Sequence, residues 1–354
     1  MEVIVKTPFL KGALTVCAVS ALLVGCSSAG GEGNGEGADG DSSLDQVTVQ
    51  LDYVPRGNHA MFYVADKLGY FKDEGIAVDS ITKGTGSPDA LRIVGNGKAD
   101  FGFGDLPSLV TARSQGVDVT TLAAVNQHSP LGMCSVADKH ELKKADDLKG
   151  LKIGVHPAGS TYIFWKALLQ ANGMSASDVK ELTVTPPYES YLLTGKVDSI
   201  ICYIDAEVPE LEAKAGGEGS LSILLGADAG YDVYGSGLFT SQKMIDDDPE
   251  LVQRFTNAYA KAFEYVDKHP AKAAKILADS SKELAGKEDI FEQQLQADID
   301  HTFESEATQE HGLGAMEKSE WEDTVNILDE QGGLKKAPAV DELYDSTFID
   351  KANK

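Results

Sequence analysis

Gly97-Lys98-Ala99-Asp100-Phe101-Gly102-Phe103 and Gly195-Lys196-Val197-Asp198-Ser199-Ile200-Ile201-Cys202-Tyr203 are two versions of one device, Gly-Lys-x-Asp running into an apolar, strand-like segment. Each copy stands at the same place in its surroundings. Upstream of Gly97, Val47 to Val54 is β-rich, and Asn58 is a candidate N-cap for a helix with Met61, Val64, Ala65 and Leu68 on one face. Gly69 ends that helix, and Ile76 to Ile81 reads as a second strand. In Gly84-Thr85-Gly86-Ser87-Pro88, Ser87 is placed to cap a further helix and Pro88 to take its first position. A helix at Ser108 to Gln115 and a strand at Val117 to Val125 complete a β-α-β-α-β-α-β order, the grammar of an open parallel sheet.

The second copy repeats this order more weakly. Leu151 to Val155 is a strand, Gly159-Ser160-Thr161 opens a helix with Ile163, Ala167 and Leu168 inward, and Val179 to Thr185 is the next strand. Tyr188 to Leu193 is a short helix before Gly195. Four matching residues could coincide by chance, so the weight lies on the repeated order of elements. Two α/β units predict two lobes with a cleft between them. After Tyr234 the pattern changes: strand-like Gly237 to Thr240 precedes a long amphipathic helix through Phe255, Tyr259, Phe263 and Val266, then helices near 271–278, 289–300 and 315–330. Without strands of their own, these are expected to pack on the first lobe.

At the N-terminus, Lys6 and Lys11 precede an uncharged run from Gly12 to Val24, too short to span a bilayer unaided. The run ends in Leu23-Val24-Gly25-Cys26, which resembles a bacterial lipoprotein signal. That resemblance implies cleavage before Cys26 and a diacylglyceryl group on its thiol. Ser27 to Ser43 is Gly, Ser, Glu and Asp with almost nothing apolar, the composition of a flexible tether. The expected division is 1–25 signal, 26–43 tether, 44–132 with 238–354 as lobe I, and 133–237 as lobe II. With 56 acidic against 31 basic residues, the chain is unsuited to nucleic acid or to an anionic membrane surface. Cys134 and Cys202 are read as buried free thiols, although a bond between them is open.

Tyr53-x-Pro55, Asn58-His59, the run from Tyr63 to Gly75 containing Gly69-Tyr70-Phe71-Lys72-Asp73-Glu74-Gly75, and Gly97-Lys98-Ala99-Asp100-Phe101-Gly102 together resemble substrate-binding proteins of ABC importers. More narrowly, they are similar to the group related to thiamine-pyrimidine synthesis, which includes binders of sulfonates, taurine and nitrate. The resemblance implies a two-lobed periplasmic-binding-protein fold with a helical extension on the first lobe. It also implies a monomeric, lipid-anchored receptor on the extracytoplasmic side that delivers a small molecule to a permease and its ATPase. No cofactor or metal is expected. Enzymes of the superfamily use a histidine at the position resembling His59 together with closely spaced cysteines, which are absent here, so the chain is expected not to be an enzyme.

In open α/β sheets, ligands lie beyond the C-terminal ends of the strands. Those ends supply Tyr53, Asn58, His59, Gly86, Ser87 and Asp105 from one lobe, and Ser160, Thr161, Tyr162, Tyr188, Tyr203, Asp205 and Glu207 from the other. The tyrosines could sandwich a ring, the carboxylates could accept from its amino groups, and helix starts at Ser87 and Ser160 could hold an acceptor. Each has a plainer role as well: Tyr53 and Tyr188 as core caps, the serines as helix caps, His59 as a neutral group satisfied inside lobe I. The expected ligand is a thiamine-precursor pyrimidine or a similar heterocycle; alkanesulfonate, taurine or nitrate is the alternative, which would gain from fixed cations, and Arg56 and Lys83 are the only ones in the cleft loops.

Overall fold

The computed structural model describes residues 44–330 and 333–354; the signal, Cys26 and the tether lie outside them. Lobe I begins with β1 (Asp45–Gln50), α1 (Ala60–Lys67), α2 (Tyr70–Asp73), β2 (Ile76–Thr82), α3 (Ser87–Gly95), β3 (Phe101–Asp105), α4 (Leu106–Ser114) and β4 (Val119–Ala124). The chain crosses to lobe II for β5 (Leu131–Val136), β6 (Lys152–Val155), α5 (Gly159–Ala171), β7 (Lys180–Thr183), α6 (Glu189–Leu193), β8 (Ser199–Tyr203), α7 (Glu207–Ala215) and β9 (Leu221–Leu225). It returns through β10 (Ser236–Ser241), α8 (Gln242–Asp247), α9 (Pro249–Lys268), α10 (Pro270–Asp279), α11 (Glu288–His301), α12 (Glu306–His311), α13 (Lys318–Glu330) and α14 (Thr347–Ala352). The crossings lie at 125–130 and 226–235, so β5 and β10 each start a residue or two before the boundaries expected at 132 and 237.

The repeat has a structural job. Asp100 Oδ2 accepts from the backbone N–H and the hydroxyl of Thr48 on β1, both at 2.7 Å, and Asp198 Oδ2 accepts from the N–H of Lys152 on β6 at 2.9 Å. Each aspartate thus pins the first strand of its unit beside the third. Gly97 and Gly195 adopt φ of +65° and +70°, the left-handed backbone that turns the chain out of α3 and α6.

The sheets run β2-β1-β3-β10-β4 and β7-β6-β8-β5-β9. They are mixed rather than all-parallel: β10 lies antiparallel between β3 and β4, and β5 antiparallel between β8 and β9. In each case the antiparallel strand is the one that has just arrived from the other lobe. The crossing brings it to the sheet from the opposite end, so it runs against its neighbours. Strand β10 is buried along its whole length, and it is built of small residues with Leu238 and Phe239 between them.

The tail helices pack on lobe I, with Phe255 of α9 stacked on Phe101 at 3.6 Å between ring centroids. Helix α13 departs from the expected packing. Its Trp321 and Leu328 enter the lobe I core, while Ile327 packs on the lobe II core and Gln170 of α5 donates to Glu330 O at 2.8 Å. Cys134 and Cys202 are also not free: they form a disulfide with Cα atoms 6.0 Å apart. They sit diagonally on adjacent strands, Cys134 opposite Ile200 and Cys202 opposite Gly132. Sequence separation hides this, because β5 meets β8 only by entering the sheet from the crossing.

Candidate functional site

Between the lobes is a cleft of about 520 Å³ at the C-terminal ends of the strands. Lobe I contributes the segment Asp52–Arg56 after β1 and Thr85–Asp89 after β2. Lobe II contributes His156 and Ser160 around the start of α5, Pro186–Glu189 before and into α6, and Tyr203, Glu207 and Glu210 after β8. Phe291 and Gln294 of α11 close one side.

Asp52 and Arg56 organise the floor. Arg56 Nη2 donates to Asp52 Oδ2 at 3.1 Å, and its Nε donates to Asn58 Oδ1 at 3.1 Å. Burial pushes the Asp52 carboxyl up, but the Arg56 charge and the His59 hydrogen bond outweigh it and hold the group at about 2. The loop after β2 closes against this strand end: Gly84 and Gly86 donate their N–H groups to Tyr53 O and Asp52 O. Gly84 has to be glycine, because a Cβ there would overlap Leu51 O.

His59 is not at the cleft surface. It is 0% exposed, its Nε2 is 2.9 Å from Asp52 Oδ1, and its Nδ1 accepts the Arg56 N–H at 3.2 Å. These partners assign the neutral tautomer with the proton on Nε2, and burial lowers its tendency to take a second proton. Both ring nitrogens are occupied inside lobe I, so the expectation of a cleft-facing histidine is corrected.

Four more expected contacts, Asn58, Asp205, Asp105 and Tyr162, do not line the cleft. Asn58 Nδ2 donates to Asp205 Oδ2 at 2.9 Å, a fully buried bond from lobe I to lobe II. Asp105 caps α4 by accepting the Ser108 N–H at 2.7 Å, and burial raises its carboxyl to about 7. Tyr162 packs against the lobe II core with Lys166 over its ring and does not line the cleft. Ser87 is also not the cap of α3; Gly86 is. The Ser87 hydroxyl instead accepts from the Asp105 N–H at 3.1 Å and points its proton at Asp52.

The cleft does bring together Tyr53, Gly86, Ser87, Ser160, Thr161, Tyr188, Tyr203 and Glu207. The Tyr203 N–H donates to Glu207 Oε2 at 2.9 Å, its hydroxyl bonds the Ser160 hydroxyl, and Arg56 lies 5.5 Å over its ring. Burial raises Glu207 to about 7. Gln294 was missed from sequence. Its Oε1 accepts the Gly57 N–H at 2.8 Å and its Nε2 donates to Ala206 O at 2.9 Å, so one side chain ties both lobes.

Two α/β lobes, two crossings and a cleft at converging strand ends make this a periplasmic-binding-protein fold. The chain belongs to the NMT1/THI5-like family, whose model matches residues 56–273. It is 23% identical to the formylaminopyrimidine-binding protein of Halalkalibacterium halodurans over 87% of this chain and 92% of that protein. It is 28% identical to a Saccharomyces cerevisiae 4-amino-5-hydroxymethyl-2-methylpyrimidine phosphate synthase, THI13, over 68% and 73%. Among solved structures, the periplasmic aliphatic sulphonate-binding protein SsuA of Escherichia coli superposes with a TM-score of 0.63 at 14% identity, covering 86% of this chain and 94% of that one.

Proposed function

We propose that this chain is the substrate-binding protein of an ABC importer, that it captures an aromatic heterocycle bearing amino groups, of the thiamine-precursor pyrimidine class, and that a lipid on Cys26 holds it at the outer face of the membrane. The chemistry of the cleft wall carries the ligand class. Tyr53, Tyr188 and Tyr203 offer ring faces, and the carboxyl groups of Asp89, Glu189, Glu207 and Glu210 line the same space. Of the two cations on that wall, Arg56 is committed to Asp52, leaving Lys287. A flat ring with N–H donors suits such a wall; a sulfonate or nitrate would face carboxylates and depend on backbone N–H groups.

The similarity to a formylaminopyrimidine-binding protein points the same way. The similarity to a synthase leaves an enzymatic reading to be tested, but His59 has no free nitrogen to offer a reaction. The Cys134–Cys202 disulfide suits an oxidising compartment outside the cytoplasm.

Thermal-shift titration of the full chain with 4-amino-5-hydroxymethyl-2-methylpyrimidine, riboflavin, taurine and nitrate tests the ligand. The pyrimidine should raise Tm in a concentration-dependent way and be recovered unchanged. A shift with the anions alone sinks the heterocycle reading, and a converted pyrimidine sinks the receptor reading. Cys26→Ser should release the protein from the membrane fraction; retention there removes the lipid anchor.

A further inference from the structure

The seam behind the cleft holds more acid than its cation can balance. Asp205 of lobe II and Asp298 on α11 of lobe I are both 0% exposed. Asp205 accepts from Asn58 through Oδ2, and Asp298 Oδ1 accepts from Asn126 Nδ2 at 2.6 Å and Thr302 Oγ1 at 2.8 Å. Among the described residues, the second oxygen of each, Asp205 Oδ1 and Asp298 Oδ2, has no partner, nor has the buried hydroxyl of Tyr259 on α9. Gln294 stands one turn before Asp298 and bonds the carbonyl of Ala206, next to Asp205, which sets the two acids across one seam.

The titratable and charged groups facing the pair are Asp52 and Arg56 from the loop after β1, Glu207 from lobe II and Tyr259 from α9. Arg56 is the cation among them and is paired with Asp52. Two ionised carboxylates so deeply buried, each with one oxygen unpaired among the described residues, are strongly disfavoured. Burial accordingly raises both acids, and the nearness of Asp205 adds to the rise at Asp298.

We infer that Asp205 and Asp298 form a proton-binding pair across the lobe seam, so that closing the cleft takes up a proton from solvent and reopening returns it. The balance is simple. In the open protein the acids part and are hydrated and ionised; on closure one O–H bond forms on an orphan oxygen while the bond holding that proton in a hydronium ion or buffer acid breaks, and reopening reverses the transfer. The sign follows from the raised affinity of the closed state for protons: closure is favoured in acid and weakens as pH rises through the titration of the pair. The inference rests on the receptor reading for the opening and closing of the lobes and for what the closed cleft contains.

X-ray scattering from the ligand-free full chain at pH 5.5 and pH 8 tests it without any ligand. The expected result is a smaller radius of gyration in acid, with that difference lost in Asp205→Asn and in Asp298→Asn. A radius that does not change with pH in the wild type overturns the inference, as does an unchanged difference in both variants. Calorimetry with 4-amino-5-hydroxymethyl-2-methylpyrimidine in two buffers of different ionisation enthalpy adds a second readout. Net uptake of roughly one proton or less, reduced in either variant, supports the pair; uptake equal in wild type and variants overturns it. If that pyrimidine does not bind, the ligand class falls while scattering still decides the pair.

Discussion

Asp52 and Arg56 form an ion pair of 3.1 Å beneath the cleft, with side chains only 8% and 10% exposed. Such a pair costs much more to break than it contributes on forming, because the partner left behind keeps its charge without solvent. Arg56→Met should therefore destabilise the chain by about 3–5 kcal/mol, read from the urea midpoint. The pH dependence has a definite sign. The Asp52 carboxyl sits at about 2, below its ordinary 3.8, so its contribution is complete above 3.8 and is lost as pH falls through about 2. In Arg56→Met, acid unfolding should begin at higher pH.

Asp105 gives the opposite sign. Its carboxyl is raised from 3.8 to about 7, so its contribution is complete below 3.8 and is lost as pH rises through about 7. Asp105→Asn keeps a side-chain acceptor for the Ser108 N–H and should flatten the stability profile between pH 4 and 7. Asp105→Ala should also lose the helix cap, a further cost of about 1 kcal/mol. A profile identical in wild type and Asp105→Asn would mean that the group ionises normally.

Tyr53 of lobe I and Tyr188 of lobe II both line the cleft. Truncating either to alanine should weaken a stacked ring by about 1 kcal/mol or more. Affinity unchanged in both variants, measured calorimetrically with a ligand that shifts Tm, would place the ring against Tyr203 instead.

The Cys134–Cys202 bond joins the strand that enters lobe II to the strand that ends in Tyr203. Replacing both cysteines by serine should lower stability by about 2–4 kcal/mol. The measurement is the urea midpoint of the double variant against the wild type, each with and without reductant; only the wild type should respond to reductant.

Much of this architecture was legible residue by residue. The two Gly-Lys-x-Asp segments marked equivalent places in a repeated order of elements, and the structure supplies the reason: a left-handed glycine follows each helix and a carboxylate holds each first strand. The cleft loops were legible for a related reason: in a parallel arrangement, strand ends converge on one side. Gln294 left a faint signal, a polar residue on the Phe291, Leu295 and Asp298 face of α11, where burial was expected of apolar groups. That signal could not say that the residue reaches Gly57 and Ala206.

Sequence alone determined most of the order of strands and helices, the existence of two lobes and the side on which they open, since these follow from local periodicity and chain direction; β5, α7 and β9 of lobe II were not read from it. The tertiary structure alone decided which polar groups line the cleft. Asn58, His59, Asp105 and Asp205 are the residue types that recognise heterocycles, and they are equally the types that buried polar partners satisfy, inside lobe I for His59 and Asp105 and across the seam for Asn58 and Asp205. Whether such a side chain faces the cleft or the seam depends on how the two lobes meet, and that contact joins residues as distant in the chain as Asn58, Asp205 and Asp298.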